Sequence, residues 1–169
     1  YGGEASFVTL GRVGNRGLLT WHDQHGSPLR SQSYGYKRLR IVFISAIEIG
    51  VGGLIVLGTI RGHDDRLVVL RVDHKGAVQW ERYIHIPHGE GKYFIVPAKR
   101  SRLIKDSPPA QCNIAGTTTG EGGRNNLFFL ELGENGGELA HSLYPFEGRL
   151  ELRNVQLILD SIIFMGGET

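Results

Sequence analysis

The sequence predicts an all-β fold: three four-stranded antiparallel repeats and almost no helix. Three observations carry this expectation. Short runs rich in Val, Ile, Leu and Thr alternate with glycine-bearing turns, the pattern of strands rather than of a 3.6-residue helical face. Glycine makes up 25 of 169 residues, roughly twice its usual share of about 7%, with only 6 prolines and no collagen period. Most tellingly, one stretch recurs. FVTLGRVGNRGLLTW (Phe7–Trp21) aligns with RLVVLRVDHKGAVQW (Arg66–Trp80), with Val13, Gly17 and Trp21 opposite Val72, Gly76 and Trp80 at an offset of 59. A third copy, NLFFLELGENGGELAH (Asn126–His141), sets Gly137 opposite Gly76 and has His141 in place of the tryptophan.

Each apolar run that stops at such a turn and restarts reads as a hairpin. In Asp73-His74-Lys75-Gly76 the glycine supplies the positive φ that a tight connection needs. A second element precedes the hairpins: LIVLGT (Leu54–Thr59), CNIAGT (Cys112–Thr117) and IIFMGG (Ile162–Gly167), marked by Gly58, Gly116 and Gly166, with Gly2 as the trace of a fourth. The expected strands are Ile44–Ile49, Leu54–Ile60, Leu67–Val72 and Ala77–Ile84 in one unit. In the next they are Tyr93–Val96, Asn113–Thr118, Leu127–Leu132 and Glu138–Tyr144. Leu150–Leu159 and Ser161–Met165, with Ser6–Val13 and Gly17–Trp21, would complete a third. The chain thus divides into units 38–91, 92–148, and 149–169 joined to 1–37, all one domain. The apolar stretch Ile41–Ile60 has the length of a membrane span, but Glu48, Gly50, Gly52 and Gly53 inside it favour two strands joined by a turn.

The pattern GGLIVLGT…DDRLVVLRVDHKGAVQWERYI resembles the repeat of bacterial β-propeller proteins, most strongly over residues 52–84. The resemblance implies a propeller-like architecture and slightly favours an extracytoplasmic location. The motif carries no catalytic residues, so none is transferred. Three blades leave a ring open, whereas propellers have about 4–8. A six-bladed ring from two chains, a segment of a longer propeller, or a β-trefoil, which also has three repeats of four strands, would each resolve this.

The function expected is a non-catalytic binding or scaffold module for protein or ligand, with a carbohydrate-binding lectin and an enzyme with an axial site as alternatives. Candidate ligand-binding residues are His63, Asp64, Asp65 and Arg66, the recurring Arg124, and Trp21 and Trp80. The tryptophans can stack on sugars, but recurrence in a repeat favours packing. The basic run Lys99, Arg100, Arg102 and Lys105, in the irregular stretch Pro97–Gln111, is the candidate partner contact. The pairs His22/His25 and His85/His88 have metal-ligand spacing, but no cysteine or carboxylate cluster supports them, so no metal and no cofactor is expected. A net charge of +2 gives no field for nucleic acid, and no membrane span is expected. Expected partners are a second copy of the chain or another propeller segment, with a protein or glycan ligand. The single cysteine, Cys112, excludes an intrachain disulfide and reads as a small core residue.

Overall fold

The computed structural model describes residues 5–35, 38–49, 53–61, 66–86, 92–97, 110–119, 125–146, 150–158 and 161–168. All thirteen elements among them are strands in four antiparallel sheets. The first sheet holds β1 (Phe7–Val13), β2 (Arg16–His22) and β3 (Pro28–Tyr34). The second holds β4 (Arg40–Ile49), β5 (Gly53–Arg61), β6 (Arg66–Val72) and β7 (Val78–His85). The third repeats that order with β8 (Tyr93–Pro97), β9 (Ala110–Thr119), β10 (Asn125–Gly133) and β11 (Glu138–Phe146). The fourth pairs β12 (Leu150–Ile158) with β13 (Ser161–Glu168). The Ile41–Ile60 stretch is the β4–β5 hairpin, Ile49 facing Gly53, and no helix among the described residues is long and apolar enough to cross a membrane.

The turns show how the sheets correspond. Asp73 Oδ1 accepts the N–H groups of Lys75 and Ala77, Gly76 N–H donates to Asp73 O, Asp73 N–H donates to Ala77 O, and Gly76 has φ 85°. Asp23 repeats every one of these bonds with His25, Ser27 and Gly26, whose φ is 84°. Gly133–Gly137 keeps both backbone bonds, with Gly136 at φ 73°. A one-residue register shift adjoins each turn, at Trp21/His22, Arg71/Val72 and Glu131/Leu132. The β2–β3 hairpin is therefore the counterpart of β6–β7 and β10–β11, so the offset is 50 rather than 59.

This corrects the expected phase. Trp21 lies on the third strand of its unit and Trp80 on the fourth. Strand β3, absent from the sequence reading, is the fourth strand of the first unit. Strand β1 is a second strand: its Gly11 pairs with Leu18 as Gly58 pairs with Val68 and Gly116 with Phe128. At Gly58 a Cβ would press on the Phe43 ring and the Val42 carbonyl, and at Gly116 on the Lys92 carbonyl, so glycine marks the second strand because the first runs too close for a side chain. Among the described residues, the strands nearest the two ends do not pair with each other. β1–β3 and β12–β13 form separate sheets, and both β1 and β13 carry the second-strand glycine, Gly11 and Gly166.

The sheets stack face to face. Leu19, Trp21 and Tyr34 of the first meet Val56, Val68, Leu70 and Val72 of the second. From the opposite face of the second, Ile55, Leu57, Leu67 and Val69 meet Cys112, Ile114, Phe128 and Leu130 of the third. β5 and β6 are buried on both sides, which is why they read as unbroken apolar runs. The first strands β4, β8 and β12 lie side by side along one edge of the stack. The far face of the first sheet is different. Where the second and third sheets carry Leu70/Leu130 and Val72/Leu132, it has Thr20 and His22. Thr20 is hydrogen-bonded to Ser31 (2.9 Å), and His22 Nδ1 donates to Gly26 O (3.0 Å) while Nε2 accepts from Thr9 (2.9 Å). That face thus carries hydroxyl and imidazole groups beside the exposed ring of Phe7, which stacks on His22.

Candidate functional site

The β6–β7 and β10–β11 turns each dock on the sheet before them. In the first interface Arg30 donates to His74 O while its guanidinium lies 4.1 Å from the Trp21 ring centroid, and the Tyr34 hydroxyl donates to Gly76 O at 2.7 Å. In the second, Trp80 Nε1 donates to Glu134 O (2.8 Å), Arg71 to the same carbonyl (3.1 Å), and Arg82 to Gly136 O (3.0 Å) and Asn135 O (2.9 Å). The cross-strand pair is Trp21–Arg30 in one sheet and Arg71–Trp80 in the next. The indole and guanidinium exchange strands, yet each sheet still offers one of each to the following turn. Arginine suits this role because its several N–H donors can serve neighbouring carbonyls at once. In the third sheet the same positions are Glu131 and Ala140, and the grip is not repeated.

The two interfaces differ at one position with a consequence for function. Tyr34, 6% exposed, fills the gap between the outer strands of the first and second sheets. Its counterpart in the second sheet is Ile84, since Gly17 pairs with Tyr34 as Leu67 pairs with Ile84. Between the second and third sheets a cleft of about 260 Å³ lies open there. Its floor is Phe128, Leu130 and Leu132; Arg82, Ile84 and His85 line one wall; Gly136, Glu138 and His141 line the other. His141 tilts against Phe128, ring centroids 5.3 Å apart, and its Nδ1 sits 3.7 Å from Glu138. An apolar floor with a few convergent polar groups is the make-up of a small-ligand site, and the volume lies just below the ~300 Å³ at which drug-sized pockets begin.

The expected site residues fall elsewhere. Trp21 is 3% exposed and closed into the first interface, so its faces are not open to a sugar. Trp80 is half-buried with its N–H committed to Glu134. Arg66 is exposed at the start of β6. His63, Asp64, Asp65, Arg124, Lys99, Arg100, Arg102 and Lys105 lie outside the described residues. Of the histidine pairs, His22 is bonded within its own sheet, His25 takes a hydrogen bond from Gln24 (3.1 Å), His85 lines the cleft, and His88 lies outside the described residues. No group of three or more His, Cys, Asp or Glu able to hold a metal occurs among the described residues. Cys112 is fully buried in β9, and burial pushes its thiol up to about 12, which leaves it a core residue rather than a nucleophile. Of the cleft residues, the sequence drew attention to His85, as half of a metal-ligand pair, and to His141, as the replacement for a repeat tryptophan, and it did not bring them together. The signal that could have found them is the Asp23…Gly26 and Asp73…Gly76 spacing, which aligns Tyr34 with Ile84. Searched against protein-family models, curated proteins and solved structures, the chain matches none.

Proposed function

We propose that the chain is a non-catalytic binding module of β-propeller type, and that it takes its ligand in the cleft between the second and third sheets. The observation that carries this is the cleft itself: an apolar floor, two walls bearing Arg82, His85, Glu138 and His141, and an opening where the neighbouring interface is plugged. Face-to-face stacking of separate four-stranded sheets, with β4, β8 and β12 adjacent along one edge, supports propeller-like packing over a trefoil. Completion by a second copy or another propeller segment would add further sheets to this stack.

The test is a small-probe titration followed by NMR, with alcohols, phenols and methyl glycosides each added to labelled protein. The expected result is shift changes concentrated on Ile84, His85, Phe128, Leu130 and His141 for at least one class. Changes scattered over the surface, or confined to the first sheet, would contradict the reading. A glycoside acting on Phe7 and His22, which stack at 4.9 Å on the outer face, would instead favour a lectin.

A further inference from the structure

We infer that the cleft is a receptor for a phenol ring, supplied as the tyrosine side chain of a partner peptide. The inference rests on the cleft being a binding site, and the repeat itself supplies the argument. The first and second interfaces are built on one plan, with equivalent strands, turns and turn glycines. In the first, the gap at the outer strands is filled by the chain's own Tyr34. That ring is buried, tilts on Phe43 at 5.9 Å, and ends in a hydrogen bond to the carbonyl of the turn glycine, Gly76. In the second, Ile84 stands in its place and the space stays open.

What such a gap holds when filled is therefore visible in the same molecule. The chemistry of the open cleft agrees with it. Leu130, Leu132 and the Phe128 ring offer an apolar floor, and the His141 ring already leans on Phe128, the kind of tilted packing aromatic rings prefer. At the turn end, Gly136 O accepts one bond from Arg82 Nε (3.0 Å) and keeps a second lone pair. The Glu138 carboxylate lines the same wall. Either can accept from a phenol hydroxyl. A ring without a hydroxyl, such as toluene, would leave these acceptors without a partner, and a saturated alcohol would lack the flat face that packs on Phe128 and His141.

The test uses p-cresol, the tyrosine side chain on its own, with N-acetyltyrosinamide, toluene and isobutanol as comparison probes, on the full chain. The expected result is p-cresol binding with Kd on the order of 1 mM, as befits a ligand of few heavy atoms. Shifts should lie at Ile84, Phe128 and His141, N-acetyltyrosinamide should bind at the same place, and toluene should bind at least threefold more weakly. Ile84→Tyr, which would rebuild the plug, should weaken p-cresol at least tenfold. Binding of p-cresol without N-acetyltyrosinamide would overturn the peptide part. Isobutanol or toluene bound at the cleft as tightly as p-cresol would overturn the phenol class while leaving the cleft a binding site. No probe bound at the cleft would overturn both. The wild-type titration decides these outcomes even if Ile84→Tyr does not fold.

Discussion

Alanine at Gly76 or Gly136 will destabilise the protein by at least about 3 kcal/mol, whereas alanine at Gly26 will cost about 1–2. All three glycines sit at the same place in the same turn, with φ between 73° and 85°, so all three share the penalty of a side chain in the left-handed region, about 1–2 kcal/mol. They differ in what lies beyond. Around Gly26 a Cβ would meet nothing within 4 Å. At Gly76 it would come within 2.7 Å of Gln32 Oε1 and 2.9 Å of the Trp21 ring, and at Gly136 within 2.8 Å of the Trp80 ring. An added methyl there must push the turn off the preceding sheet. It would weaken the bonds from Tyr34 to Gly76, or from Arg82 and Trp80 to 134–136, with those to a charged donor each contributing about 1.5–3 kcal/mol. Urea unfolding of the three variants measures the difference directly. Equal losses at all three positions would mean that the turns do not dock.

Tyr34→Ala should cost about 3–5 kcal/mol, the range for removing a buried aromatic side chain, and should open in the first interface the gap that the second already has. Tyr34→Phe keeps the ring but leaves Gly76 O without its donor, at about 1–3 kcal/mol. The two variants separate packing from hydrogen bonding. Titration gives a further readout. Burial raises the Tyr34 phenol from its ordinary value near 10 to about 12, with Arg30 pulling the other way and Asp73 adding to the rise. Its folded value lies above its unfolded one, so the stability it contributes is fully present below pH 10 and is lost as pH rises from 10 to 12. Tyr34→Phe should remove that alkaline loss. If the inference about the cleft holds, p-cresol at about 10 mM should raise the melting temperature of Tyr34→Ala more than that of the wild type. At a Kd near 1 mM this is worth about 1.4 kcal/mol.

Much of the strand pattern was legible because a strand declares itself locally. Twelve segments were expected, and each overlaps one of the thirteen observed strands, mostly to within one to four residues at either end. Leu54–Ile60 and Leu67–Val72 read clearly because both their faces are buried. What failed was phase. The β1–β2 connection, with Gly14 at φ 56°, is as good a hairpin as any, and VGNRG looks like VDHKG. The match of Trp21 to Trp80 strengthened the wrong alignment, because the two indoles do similar work from neighbouring strands. What distinguishes the right alignment is an aspartate at the first turn position, Asp23 or Asp73, whose carboxylate fixes two backbone N–H groups. Strand β3, PLRSQSY, was missed for a related reason: Leu29 is its one aliphatic residue, Ser31 and Ser33 face outward, and its inward residues, Arg30, Gln32 and Tyr34, declare their role only against the next sheet. The cleft was invisible for the same cause. It is the absence of a ring at Ile84, and an absence can be read only once the repeats are in register.

The central claim is that the β6–β7 and β10–β11 turns seat on the aromatic and arginine side chains of the preceding sheet, and inter-proton NOEs test it most directly. The account predicts cross-peaks from the Trp80 ring protons to the Gly136 α protons and from the Trp21 ring protons to the Gly76 α protons. Trp80 and Trp21 cross-peaks confined to their own sheets would contradict it.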